Sequence, residues 1–110
     1  MTNKQIQGSE FLHAVRGLID RPNKWIKGSL ISNESHCILG AMGVTYWSPR
    51  YAGRRDGLEW AAMYEKVDAT LRSLTDTGGL ASFNDADSTS HDDIMLLVDS
   101  AIGILQAEGD

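Results

Sequence analysis

The stretch Ser35–Gly43, SHCILGAMG, contains the only cysteine of the chain, Cys37. Peptide N–H groups at the start of a helix favour a thiolate, and a cysteine nucleophile also needs a base and an orienting group. His91 and Asn84 have the side-chain types that serve these two roles in cysteine hydrolases. One hypothesis is therefore a small cysteine-dependent hydrolase or transferase that uses Cys37, His91 and Asn84.

A packing role for Cys37 is the favoured interpretation. Free cysteine is among the most frequently buried residues and behaves as a small hydrophobe. The small residues Gly40, Ala41 and Gly43 follow it, which would let another helix approach closely. His36 is adjacent in the chain and would point about 100° away on a helix, so it cannot pair well with the thiol. We therefore assign no catalytic residue from the sequence.

The motif FND, Phe83–Asp85, is the polar motif most suited to a structural or binding role. Phe83 can anchor a turn in the core while Asn84 and Asp85 accept hydrogen bonds from backbone donors. We expect one of these two residues to cap the helix that starts near Cys37 or to bind a neighbouring loop. The alternative is a shallow ligand site formed by Asn84, Asp85 and Cys37.

A basic loop, SPRYAGRRDG, contains Arg50, Arg54 and Arg55. Arginines in an exposed loop can bind phosphate or an acidic partner. Three arginines fall short of a nucleic-acid signature, and the calculated pI of 5.0 opposes one, so nucleic acid is not the expected partner. The favoured alternative is a solvated loop whose arginines balance Asp56 and Glu59.

No metal or cofactor is predicted. The chain contains no HxxxH or CxxC pattern, and the acidic turn NDADSTSHDD lacks the glycine and final glutamate of a calcium loop. A single cysteine also excludes a disulfide within one chain and a multi-thiolate zinc site.

Helical periodicity dominates the chain and predicts an all-α fold. The expected architecture is a single compact bundle over residues 1–110, with four main helices, one short helix and a flexible N-terminus at 1–8. No stretch alternates cleanly enough to predict a strand. The four main helices are expected from Ser9 to about Asp20, Ser35 to about Trp47, Leu58 to Leu74, and from a capping box at Thr89 or Ser90 to just before Gly109. The short helix is expected within NKWIKGSL, residues 23–30.

The net charge of −5 is unevenly distributed. Residues 1–55 contain eight Lys and Arg against three Asp and Glu, whereas residues 56–110 contain two against twelve. Such asymmetry can mark an acidic face for a basic partner. Because the acidic residues are scattered, we favour electrostatic complementarity between two halves that fold together.

The first ten residues contain no apolar run, and no segment approaches the roughly 20 apolar residues that span a bilayer. The sequence therefore predicts a cytoplasmic protein without a membrane partner.

Three motifs, WIKGSL at 25–30, CILGAM at 37–42 and FND at 83–85, resemble those of a domain-of-unknown-function family of small proteins from bacterial and phage genomes. His36 and Phe83 depart from the family pattern, which commonly has tryptophan at both positions. The resemblance implies a compact helical module that is common on mobile elements, and it implies no activity.

We therefore expect a non-enzymatic accessory protein, associated with a phage or mobile element, that binds a host or phage protein through a charged surface. The cysteine-dependent enzyme described above is the alternative. A small-molecule binder with a pocket between the helices is a third hypothesis.

Overall fold

The computed structural model describes residues 6–55, 57–75 and 79–110, and these are mostly helical. The expected all-α fold with four main helices is confirmed, with a two-stranded hairpin added. The α-helices are α1 (Gly8–Leu18), α2 (Ile38–Tyr46), α3 (Leu58–Ser73), the short α4 (Leu80–Asp85) and α5 (His91–Ala107). Two 3-10 helices cover Pro22–Lys24 and Pro49–Arg54.

Helix α1 lies at the centre of the bundle and packs against α2, α3 and α5, while α3 also packs against α5. Apolar residues at helical spacing on each of these elements are removed from water, which is the main source of stability for a domain of this size. The largest fully buried side chains include Phe11, Leu12, Ile38, Met42, Trp60, Leu71, Ile94 and Leu105.

Helices α3 and α5 match their sequence predictions closely. The apolar residues Trp60, Val67 and Leu71 lie at helical spacing on α3 and are buried. Leu74, the expected last residue, is the C-cap and is 39% exposed. At the start of α5, the Ser90 hydroxyl accepts a hydrogen bond from the Asp93 N–H, and the Asp93 carboxylate accepts one from the Ser90 N–H. The predicted capping box is therefore present, at the second of its two candidate positions.

The start of α1 differs from the prediction. Gln7 occupies the N-cap position, and the buried Ser9 instead donates its hydroxyl to the Asp110 carbonyl at 2.7 Å. Residues 1–5 of the expected flexible N-terminus lie outside the described residues. Within the remainder, Ile6 is only 3% exposed and Gly8 already begins the helix, because this end of α1 packs against α3 and α5.

Of the short helix expected within residues 23–30, only the start is helical, as part of the 3-10 turn Pro22–Lys24. After this turn the chain bends at Lys27 and Gly28, and strands β1 (Ile31–Ser32) and β2 (Ser35–His36) form an antiparallel hairpin. Pairing of Ser35 and His36 in β2 delays the start of α2 to Ile38. The short helix of the fold is α4, in the segment that the sequence indicated only as a turn.

Among the described residues, no helix is both long and apolar enough to cross a membrane.

Candidate functional site

Asn84 is a fully buried polar residue at the junction of α4, α2 and the loop before the hairpin. Its side-chain oxygen accepts hydrogen bonds from the Trp25 indole N–H at 2.7 Å and from the Ile38 N–H at 3.1 Å. Its amide nitrogen donates to the Ile26 carbonyl and the Asp85 carboxylate, both at 3.0 Å. All four hydrogen-bonding positions of the amide are therefore used, and the expected cap on α2 is present.

Asp85 binds the same loop from the exposed side of α4. Its carboxylate accepts a hydrogen bond from the Gly28 N–H at 2.9 Å, and this bond, with the one from Asn84, holds the pKa of Asp85 below its usual value. Gly28 has φ +78°, a left-handed conformation that favours glycine. The WIKGSL and FND motifs thus form one structural unit.

Gly40 of the CILGAM motif lies against the backbone of Leu30. A Cβ at Gly40 would be 1.9 Å from the Leu30 carbonyl oxygen, which also accepts a hydrogen bond from the Cys37 N–H at 3.0 Å. A Cβ at Gly43, in contrast, would have no neighbour within 4 Å in the part of the chain that the structure describes. The expected close approach is therefore real at Gly40, but its partner is the chain entering the hairpin and not another helix.

Cys37 occupies the N-cap position of α2, and its side chain is 5% exposed. Its sulfur accepts a hydrogen bond from the Gly40 N–H at 3.3 Å. A small cleft of about 150 Å³ beside it is lined in part by Leu30, Leu39 and Asp85. In the structure the thiol is therefore a buried cap of α2.

His91 is held by other partners. Its Nε2 lies 2.7 Å from the Ile19 carbonyl oxygen, and its ring centroid is 6.1 Å from that of Trp25. Because a carbonyl only accepts, Nε2 carries the proton in this contact. None of the hydrogen bonds within the described residues joins Cys37 to His91, and the Asn84 amide is fully engaged elsewhere. The structure therefore does not bring the three into one nucleophile–base–orienter set.

The predicted basic loop is a 3-10 helix. Its first turn is capped by Ser48, whose hydroxyl accepts a hydrogen bond from the Arg50 N–H at 3.3 Å. Arg50 and Arg54 are exposed, and neither belongs to an ion pair found within residues 6–55, 57–75 and 79–110. The expected balancing residue Asp56 lies outside the described residues.

Arg55 differs from the other two arginines because its guanidinium is fixed. It donates hydrogen bonds to the Tyr46 carbonyl at 3.4 Å, at the C-terminal end of α2, and to the Ser48 carbonyl at 2.8 Å, just beyond that helix. A cation at this position satisfies the Tyr46 carbonyl at the end of the helix and interacts favourably with the helix dipole. The guanidinium also lies 5.3 Å from the centroid of the Trp47 ring.

Trp47 was not singled out as a binding residue by the sequence, yet it is 68% exposed. The sequence feature that could have indicated this exposure is the position of Trp47 before Pro49. Helix α2 ends at Tyr46, so Trp47 no longer lies on its buried face. Together, Trp47, Arg50, Arg54 and Arg55 are here called the Trp–Arg surface. Leu58, at the start of α3, is 88% exposed three residues after Arg55.

Within the described part of the chain, no group of three or more His, Cys, Asp or Glu residues could hold a metal ion.

A family model described as a family of unknown function, DUF6197, matches residues 4–104. No curated protein and no solved structure shows significant similarity to the chain.

Proposed function

The chain belongs to DUF6197, a family of unknown function, and we propose that it is a non-enzymatic interaction protein that binds another protein through the Trp–Arg surface. In this proposal it is an accessory protein of a phage or mobile element, and its partner is a host or phage protein. The resemblance of its three motifs to proteins from bacterial and phage genomes supports that setting.

The observation that carries the proposal is the exposed indole of Trp47 beneath the Arg55 guanidinium. Tryptophan and arginine are over-represented among the residues that contribute most binding energy at protein interfaces. Arg55 is already fixed by its hydrogen bonds to the end of α2. Binding would therefore cost little side-chain entropy at Arg55.

The charge of the surface favours an acidic partner. The chain as a whole has a net charge of −5, whereas the exposed Arg50 and Arg54 have no ion-pair partner among the described residues. Complementary charges increase association rates and suppress wrong partners. The overall negative charge argues against a nucleic-acid partner, because a polyanion would be repelled by the rest of the molecule.

A cysteine-dependent hydrolase or transferase is less well supported. The Cys37 sulfur caps α2, and His91 and Asn84 have other hydrogen-bond partners.

Affinity purification from native lysate tests the proposal. We expect a partner protein to be retained by the wild type and by Arg21→Glu, and lost with Arg54→Glu and Trp47→Ala. Arg21 is the matched control because it is exposed and forms no side-chain hydrogen bond or ion pair among the described residues. Circular dichroism and thermal unfolding establish that all four proteins are folded. Equal retention by wild type, Arg54→Glu and Trp47→Ala would overturn the proposal.

A further inference from the structure

A groove runs between the C-terminal halves of α1 and α2 and ends at the 3-10 helix that contains Arg50. Its volume is about 410 Å³. Ala14 and Leu18 line it from α1, and Val44 lines it from α2. Val44 is 37% exposed, so part of an apolar wall faces water.

Gly17 keeps this groove open. It is exposed on α1 and lines the groove, and a Cβ built there would have no heavy atom of the described residues within 4 Å. Gly17 does not have a positive φ, so the backbone conformation does not require glycine at this position. The effect of the missing side chain is to leave space in the groove.

The groove also has polar groups suited to an anion. Arg50 and the exposed His13 both line it. The Arg50 guanidinium lies 5.5 Å from the centroid of the buried Tyr51 ring, which also lines the groove. None of the described residues that line the groove carries a carboxylate. An apolar wall beside an arginine is complementary to an apolar side chain adjacent to a carboxylate.

We propose that this groove receives one apolar side chain of a partner protein segment, and that an adjacent acidic residue of that segment binds Arg50. The inference rests on the proposed function, because Arg50 belongs to both the groove and the Trp–Arg surface. It specifies the partner's chemistry as an acidic segment with an aliphatic side chain.

The test uses blocked tetrapeptides and ¹⁵N-labelled full-length protein. The probe is acetyl-Ser-Leu-Asp-Ser-amide, and the amide resonances of Gly17, Val44 and Arg50 are followed during titration. Replacing Leu by Gly in the peptide should weaken binding roughly tenfold or more, since that leucine would be largely buried. Replacing Asp by Asn should weaken it by roughly threefold, as expected for an exposed ion pair.

Two protein variants separate filling of the groove from a general effect of substitution. Gly17→Leu should fill the groove and abolish the shifts, while Gly103→Leu should bind as the wild type does. Gly103 is the matched control because it is also an exposed helical glycine with no atom within 4 Å of an added Cβ. Thermal unfolding establishes that both variants are folded.

The proposed binding of the segment in the groove is refuted if Gly17→Leu binds the probe as well as the wild type, or if the three peptides bind equally. Failure of the proposed function gives a different pattern. Trp47→Ala should leave the tetrapeptide affinity unchanged, since Trp47 does not line the groove, whereas it should abolish capture of the full partner. Binding of N-acetyl-leucine but not of the tetrapeptide would also overturn the proposal, by assigning the groove to a small carboxylic acid.

Discussion

The side-chain oxygen of Asn84 accepts a hydrogen bond from the Ile38 N–H at 3.1 Å, although the two residues are 46 positions apart. Helix α2 therefore obtains part of its N-terminal cap from α4, while the Cys37 sulfur accepts from Gly40 within the same first turn. Both bonds are buried. The position of α2, and of Trp47 at its far end, thus depends on the FND motif.

Asn84→Ala should destabilise the protein by at least about 3 kcal/mol, because it leaves the Trp25 indole N–H, the Ile38 N–H and the Ile26 carbonyl without their partner. Urea unfolding measures the change. Asn23→Ala, at an exposed position, should cost less than about 0.5 kcal/mol. A loss at Asn84 as small as that at Asn23 would contradict the described network.

Gly40→Ala and Gly43→Ala should have opposite effects. At Gly40 the new methyl group would meet the Leu30 carbonyl at 1.9 Å, so the hairpin must move and stability should fall by more than about 2 kcal/mol. At Gly43 there is open space, and alanine in a helix should stabilise by about 0.5–1 kcal/mol. Thermal unfolding of both variants checks the contrast, and equal effects would be inconsistent with the close approach at Gly40.

Acid should weaken the contact between Asp85 and the Gly28 loop. The pKa of Asp85 is lower in the folded protein, mainly through the Gly28 N–H bond, so the unfolded chain binds more protons in acid. The contribution of Asp85 to the free energy of unfolding is complete above its ordinary pKa of 3.8. It is lost as the pH falls through the lower pKa that Asp85 has in the folded protein. The pKa of Asp93 is also lowered, by its hydrogen bonds to Ser90, so this carboxylate likewise contributes stability that is lost in acid.

Asp85→Asn should therefore flatten the decline of the melting temperature in acid. Asp87→Asn is the control, since exposed Asp87 accepts none of the side-chain hydrogen bonds found among the described residues. Identical pH profiles for wild type and Asp85→Asn would show that this carboxylate contributes nothing to the acid response.

Cys37 should react slowly with a thiol reagent in the folded protein at neutral pH. Its side chain is 5% exposed, so labelling requires local or global opening and should accelerate as urea unfolds the chain. The rate with an aromatic disulfide reagent, measured with and without urea, decides this. Faster labelling of the folded than of the unfolded protein would instead support the cysteine-dependent enzyme.

The helices were predictable because their signals are local. The buried seam of α3 and the Ser90–Asp93 capping box are both set by residues within one or two helical turns of each other. The segment around Gly28 was wrongly predicted to be helical because its conformation depends on Asp85, 57 positions away. Ser9 was likewise predicted to begin α1, yet the helix begins at Gly8 and the Ser9 hydroxyl donates a hydrogen bond to the carbonyl of Asp110, 101 positions away.

The candidate site was only partly visible in the sequence. Arg50, Arg54 and Arg55 stood out as a basic loop, but nothing local distinguished the exposed Arg54 from Arg55, which caps α2. Tryptophan is a residue type expected in the core, but Trp47 is exposed because α2 ends immediately before it. The groove beside Gly17 depends on how α1 and α2 pack, which periodicity does not specify.

The most direct test of the central claim is the affinity of the captured partner for the Trp47→Ala variant, measured by isothermal titration calorimetry. Leu96→Ala is the control, because Leu96 is 67% exposed, close to the 68% of Trp47, and lies on α5. If Trp47 is the main anchor of the Trp–Arg surface, its loss should raise Kd by about thirtyfold or more, which corresponds to about 2 kcal/mol. Leu96→Ala should leave Kd unchanged. An unchanged Kd for Trp47→Ala would contradict the assignment of this surface as the binding site.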